Sequence, residues 1–293
     1  MLHSSENLSF SCVLSSMNLY RYDEWKDTDA VFEATVFLDC LVEDFIKQSE
    51  GIPGLEKVRE FTIRGRAIGL GVLGFSSYLQ SKMIPYESLD AHILNLQIFK
   101  QLHDDSLRAS QWLAQEKGEP EWCKGYGVRH THRTALAPTK STSLLQGGMS
   151  ESVFPDPGVV FEQSSAAGGM NRITPEFYKL MVERGMYSQE TIDDIIKNIG
   201  SVQHLDWLSD HEKQVFKTAF EVSQDTILRY ASVRQKYLCQ GQSLNFFFSE
   251  DGDENRIAET LSKAFLDENI LSVYYFYSRS GVVVSSDCIA CEA

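Results

Sequence analysis

The chain has no apolar run long enough to span a membrane. Its start, Met1-Leu2-His3-Ser4-Ser5-Glu6, carries neither the basic nor the apolar stretch of a secretory signal. These gaps predict a cytoplasmic protein whose cysteines are thiols or catalytic disulfides, with no membrane partner. Basic charge is scarce too: Lys and Arg number 27 against 41 Asp and Glu, a formal net charge of −14. That balance argues against general nucleic-acid binding, which needs a basic face. It leaves room for a local phosphate cradle of backbone N–H groups and one lysine. The six cysteines, at 12, 40, 123, 239, 288 and 291, fit no disulfide framework. Neither an internal repeat nor a linker-like segment interrupts the chain. We therefore expect one domain over 1–280 and a flexible tail over 281–293.

What is present suits a large core. Hydrophobic residues make up 43% of 293, and α/β barrels reach this length as one unit. A strand carrying Cys12 is expected over 7–15, then a long helix to Gln48 with Val31, Phe32, Phe37, Leu38, Leu41 and Phe45 as its apolar side. A glycine-punctuated apolar segment covers 66–80, and a second long helix runs over 89–117. Residues 133–138 read as a buried strand opening into a polar loop, 139–143, and 146–172 reads as irregular. Helices follow at 174–186, 188–199, 209–235 and 253–268, with strands at 244–248 and 271–279. Strands separated by helices indicate α/β architecture with parallel pairing.

Several motifs carry chemistry on paper. Gly69-Leu70-Gly71-Val72-Leu73-Gly74 fits a dinucleotide fingerprint, but the glycines sit inside an apolar run with no strand ending before them. Close packing explains them better. Pro138-Thr139-Lys140-Ser141-Thr142-Ser143 follows a strand directly, where hydroxyls, N–H groups and a lysine can hold phosphate; an ordinary solvated turn is the equal alternative. His130-Thr131-His132 reads as structural or solvated rather than metal-binding, and no metal site is expected. Asp251 to Asn255 lacks the calcium-loop spacing and reads as an acidic helix start. Cys40, Cys123 and Cys239 read as buried or inert thiols. The pair Cys288-Ile289-Ala290-Cys291 can close and reopen as a disulfide, and it lacks the further ligands of a closed zinc site. Beside it, the doublet Tyr274-Tyr275 suggests a relay by reversible phenol oxidation. A dithiol and a tyrosine pair in one short segment point to reductive radical chemistry.

Taken together, these segments resemble the large, catalytic subunit of class I ribonucleotide reductase. The resemblance rests on Phe10-Ser11-Cys12-Val13-Leu14-Ser15-Ser16-Met17-Asn18-Leu19, on Arg66 to Leu79, on Ala137 to Thr142, on Cys239-Gln240-Gly241-Gln242-Ser243-Leu244-Asn245, on Val273-Tyr274-Tyr275 and on the terminal cysteine pair. It implies the second half of a ten-stranded α/β barrel that reduces ribonucleoside diphosphates by a thiyl-radical mechanism. It also implies roles. Cys12 is one of two cysteines that supply the reducing electrons. Tyr274 and Tyr275 relay the radical from a small, metal-containing subunit. Pro138, Thr139, Lys140, Ser141 and Thr142 bind the substrate's diphosphate. Cys288 and Cys291 reduce the spent disulfide and are recharged by thioredoxin or glutaredoxin. No cofactor bound by this chain itself is implied.

The departures matter as much. No cysteine here has Asn two before it and Glu two after it, the family's thiyl motif. The other redox-pair cysteine and the N-terminal regulatory region are missing as well, and Phe154 stands where a carboxylate is common. The chain therefore reads as one piece of a split large subunit, active with an N-terminal partner fragment and the small subunit. Half a barrel exposes sheet edges and an apolar face, a strong drive to associate. The alternative is a non-catalytic half-barrel that binds and modulates a complete reductase.

Overall fold

The computed structural model describes residues 4–165, 168–249 and 254–279. Strand β1 (Leu14–Asn18) leads into a short helix α1 (Tyr22–Trp25), then α2 (Ala30–Gln48) and α3 (Glu56–Gly65). Strand β2 (Gly69–Leu73) is followed by α4 (Phe75–Ser81), the long α5 (Leu89–Lys117) and α6 (Lys140–Leu145). Next come the strands β3 (Val160–Ser165) and β4 (Gly168–Ile173), then α7 (Pro175–Glu183), α8 (Gln189–Lys197), α9 (Asp210–Val215) and α10 (Gln224–Gln235). Strand β5 (Phe246–Ser249), α11 (Glu254–Leu266) and β6 (Phe276–Arg279) complete the order.

Two parallel strand pairs, β1–β2 and β5–β6, are joined through isolated parallel bridges, while β3 and β4 pair antiparallel apart from them. Leu14 lies opposite Gly69 and Asn18 opposite Leu73. Leu70 bridges in parallel to Thr134, and Leu136 to Gln242. Beyond Gln242 the chain continues into β5, which pairs in parallel with β6, Phe246 opposite Phe276. The order is therefore β1, β2, the 134–136 segment, the 242–249 segment and β6, five parallel strands with helical crossovers. Leu70, Val72, Leu136, Leu244 and Phe246 are buried in one hydrophobic core with Leu38 and Val42 of α2 and Ile98, Phe99 and Leu102 of α5.

A fully buried carboxylate holds the helices to the sheet. Asp39 of α2 takes the Arg66 Nε at 2.9 Å, the Arg129 Nε at 3.1 Å, the Lys117 Nζ at 3.3 Å and the His130 Nε2 at 3.3 Å. Arg129 also donates to the carbonyls of Lys117 and Gly118, closing the C-terminus of α5. Arg66 is a non-glycine residue at φ 45°, the left-handed stop of α3, and its charge pair holds it there. Burial raises the Asp39 carboxyl, but His130 and Arg66 more than reverse this, leaving it well below the usual carboxylate range. At the other side of the sheet, the fully buried Arg234 of α10 donates to Gln242 Oε1, and Gln242 Nε2 returns a bond to the Ala231 carbonyl at 2.8 Å.

A second core lies outside the sheet. Val159, Val160, Phe177, Met181, Ile195, Val202, Val215 and Phe216 pack together from β3, α7, α8, α9 and the loops beside them. This explains several differences from expectation. The irregular 146–172 stretch contains the antiparallel pair β3 and β4. The helix expected over 209–235 is two, because Val215 and Phe216 belong to the second core while Ala219 and Val222 belong to the first. Helix α3 was not anticipated. Strand β1 starts at Leu14, so Cys12 precedes it. On α2 the buried face is Val31, Thr35, Leu38, Asp39 and Val42, while Phe37 and Leu41 are exposed. The buried ionic cluster turns that face away from the simple apolar stripe. The segment 281–293 lies outside the described residues.

Asp39→Asn should cost about 3–5 kcal/mol in urea unfolding, because two arginines lose their buried counter-charge. The native carboxyl pKa is depressed by folding. Its contribution is thus complete above about pH 4, the unfolded value, and is lost as pH falls below that. The variant should lack this portion of the acid dependence.

Candidate active site

Small residues meet where β1 pairs with β2, at Gly69, Ser16 and Gly71. Leu14, Ser16 and Asn18 alternate on β1 opposite Gly69, Gly71 and Leu73. A Cβ added at Gly71 would lie 2.2 Å from the Ala135 carbonyl oxygen, a backbone atom that cannot yield. The apparent dinucleotide fingerprint is therefore a close strand contact, followed by Gly74 in the left-handed region where α4 begins. No pyrophosphate loop is formed.

At the C-terminal end of the 134–136 segment, Pro138 leads into Thr139, a non-glycine residue at φ 59°. The polar loop expected over 139–143 is instead the first turns of α6, with the Ser143 N–H reaching the Thr139 carbonyl at 2.8 Å. Lys140, Ser141 and Thr142 are exposed, whereas Thr139 and Ser143 are buried. The turn is braced from behind. Thr139 Oγ1 accepts from the Ser152 N–H at 2.8 Å, and the Ser143 carbonyl accepts from Gly148 and Met149. Ser150 and Ser77 exchange two hydrogen bonds, the Ser77 N–H to Ser150 Oγ at 3.1 Å and the Ser150 N–H to Ser77 Oγ at 2.8 Å. Residues 138–152 are thus tied to the start of α4. Three hydroxyl or amine groups on a fixed turn are chemically suited to hold an anion.

Two carboxyl groups beside this turn were not anticipated. Glu151 lies between the anchored Ser150 and Ser152. Burial, then the charge of Asp156, push its carboxyl up to about 7 against the opposing effect of Lys140 and Arg172. Asp156 is buried, with an Arg172 nitrogen 3.7 Å away, and burial raises it to about 6. The flanking Pro155-Asp156-Pro157 was the available signal, an acid held between prolines in a stretch read as irregular. Phe154, by contrast, is a core residue, its ring 5.9 Å from that of Phe247.

Cys12 and the tyrosine pair lie at the other end of the sheet. Cys12, exposed, precedes β1, and partial burial of its thiol raises the pKa, keeping it protonated at neutral pH. Tyr274 and Tyr275 precede β6 and are held in register, the Tyr274 N–H bonding to the Leu244 carbonyl at 2.7 Å. Their ring centroids are 4.1 Å apart, and Tyr277 continues the series 5.8 Å from Tyr275. Cys12 and the tyrosines therefore lie just before the opposite edge strands β1 and β6. Cys288 and Cys291 lie outside the described residues, as do Asp251 and Asp253.

The remaining thiols and histidines divide. Cys123 is buried as expected, but Cys40 is exposed. Cys239 is half-buried: burial raises its pKa, yet the Arg133 guanidinium and hydrogen bonds from Thr134 and the backbone bring it below the ordinary value. His130 is part of the Asp39 cluster, and burial keeps it neutral against the pull of Asp39. Among the described residues no three His, Cys, Asp or Glu side chains group to hold a metal, and no helix is long and apolar enough to cross a membrane.

Parallel strands, helical crossovers and an anion-suited turn at a strand's C-terminal end define an α/β-barrel protein. The model of the ribonucleotide reductase barrel domain matches residues 1–123 and 121–276. The class Id ribonucleotide reductase alpha subunit of Actinobacillus ureae superposes with a TM-score of 0.86 at 43% identity, covering 96% of this chain and 52% of that one. A protein assigned as ribonucleoside-diphosphate reductase large subunit in Frog virus 3 is 35% identical over 96% of this chain and 52% of its own length. The corresponding large subunit of Invertebrate iridescent virus 3 is 33% identical over 100% and 49%. This chain belongs to the ribonucleotide reductase large-subunit barrel family. It spans about half the length of these relatives, and its five parallel strands are the second half of the ten-stranded barrel.

Thr139→Val should lower stability by about 1–3 kcal/mol in urea unfolding, because the buried Ser152 N–H loses its acceptor.

Proposed function

We propose that this chain is the C-terminal catalytic part of a ribonucleoside-diphosphate reductase, active when a second chain completes the barrel. The observation that carries the reading is the placement of Cys12 and the Tyr274–Tyr275 pair at the two edge strands of a five-stranded sheet. Both edges border the half that a partner would supply, so chemistry between them requires closure. The partner brings the thiyl cysteine and the second redox cysteine. A small, metal-containing subunit generates the radical. It passes through Tyr274 and Tyr275, whose ring contact is short enough for exchange of an electron with its proton.

The thiyl removes the 3′-hydrogen of a ribose whose diphosphate rests on Thr139, Lys140, Ser141 and Thr142, behind Pro138. The 2′-hydroxyl leaves as water, the 3′-hydrogen returns, and Cys12 with its partner cysteine gives up two electrons to become a disulfide. Cys288 and Cys291 then reduce that disulfide by thiol exchange and are themselves reduced by thioredoxin or glutaredoxin. The reaction belongs to the cytoplasm, where that reducing supply exists.

Tyr275→Phe keeps the ring against Tyr274 and Tyr277 and removes only the phenol. In the complete mixture of chains, turnover should fall to background while the complex forms with unchanged affinity. Near-normal turnover would remove the relay from this chain.

A further inference from the structure

Tyr274 and Tyr275 meet in a way that a regular strand forbids. Successive side chains of a β-strand point to opposite faces of the sheet. Here the two rings touch, their centroids 4.1 Å apart and their planes inclined by 53°. The backbone shows how this arises. Phe246 lies opposite Phe276, and its N–H donates to the Tyr275 carbonyl at 2.9 Å. In that register the Leu244 carbonyl would receive the Tyr275 N–H. The Tyr274 N–H takes it instead, at 2.7 Å. Two residues, Tyr274 and Tyr275, therefore oppose the single residue Asn245, which is the count of a β-bulge. The bulge displaces the Tyr275 N–H from the carbonyl it would have met, and Asn245 Oδ1 accepts it at 3.2 Å. Asn245 is buried. Two residues before the pair, Ser272 Oγ donates to the Gln242 carbonyl at 2.6 Å and pins the entry to the bulge.

A backbone N–H turned away from water needs an acceptor. The Asn245 side chain supplies one in the bulged register. Without it, the Tyr275 N–H regains a carbonyl only by returning to Leu244, and that regular register sends the two rings to opposite faces. We propose that Asn245 is a positioning residue of the tyrosine pair: its amide oxygen stands in for a strand carbonyl and holds the bulge that brings the two phenol rings together. The inference rests on the reading of Tyr274 and Tyr275 as a radical relay, and it assigns the geometry of that relay to a residue of the neighbouring strand.

The test compares Asn245→Leu, which keeps the volume and removes the acceptor, with Asn245→Asp, which keeps an acceptor at the same reach. The ring contact is read in the full chain, as the nuclear Overhauser effect between the ring protons of Tyr274 and Tyr275. Turnover is read in the complete mixture with an N-terminal large-subunit chain, the small subunit and thioredoxin. Asn245→Leu should lose the ring contact and lower kcat about a hundredfold, the scale for a misplacement of about 1 Å, with KM and the affinity of the complex unchanged. Asn245→Asp should retain the contact and recover most of that loss. Retention of the contact in Asn245→Leu, or an Asn245→Asp variant as impaired as Asn245→Leu, would overturn the positioning role; the relay would still stand if Tyr275→Phe abolishes turnover. Loss of the contact with unchanged turnover, or no product from the wild-type mixture, would overturn the relay reading and this inference with it.

Discussion

The buried Asp39 cluster is the constraint on which the sheet's geometry depends. One carboxylate, with no solvent exposure, meets cations from the end of α3, the end of α5 and the segment entering the 134–136 strand. Each of these elements delivers the chain to a strand or takes it away from one. Arg66 precedes β2 by three residues, and Arg129 and His130 precede the 134–136 segment. An ion cluster of this kind adds little net energy compared with an apolar replacement, but it tolerates only one arrangement of its members. It therefore fixes the spacing of β2 and its neighbour, and through them the turn at Pro138 and Thr139.

From that frame the proposed chemistry divides between the two ends of the sheet. The C-terminal end of the central strand carries the phosphate-suited turn, braced by Ser77, Ser150 and Ser152. At the N-terminal ends of the edge strands stand Cys12 and the tyrosine pair. Between them, Gly69 and Gly71 lie close against Ala135, and at Gly71 the neighbouring backbone leaves no room even for a methyl group. A larger side chain at Gly71 would push the two strands apart.

Much of this was legible in the sequence, for identifiable reasons. The helix over Leu89–Lys117 has a Ser88 cap and a sustained apolar stripe, and its bounds follow from those signals. The parallel α/β class follows from alternating elements, and Tyr274, Tyr275 and the 138–142 turn stood out by residue type and position. What was hidden depends on distant contacts. The apolar face of α2 was misplaced because Asp39 is buried by partners 27 to 91 residues away. The break between α9 and α10 reflects two separate cores, and pattern alone does not reveal which core a residue joins. The altered acidity of three groups arises only on folding: burial and then Asp156 push Glu151 up against Lys140 and Arg172, burial pushes Asp156 up against Arg172, and Arg133 helps draw Cys239 down against its burial.

The central claim is that this half-barrel is catalytic and becomes so only when another chain completes it. The direct measurement is reduction of a ribonucleoside diphosphate with thioredoxin as electron source, assayed with this chain alone and then with an N-terminal large-subunit chain and the small subunit added. The account predicts no deoxyribonucleotide from the chain alone and steady turnover in the full mixture. A stable complex that still forms no product would contradict it, and would make this chain a binding half-barrel instead.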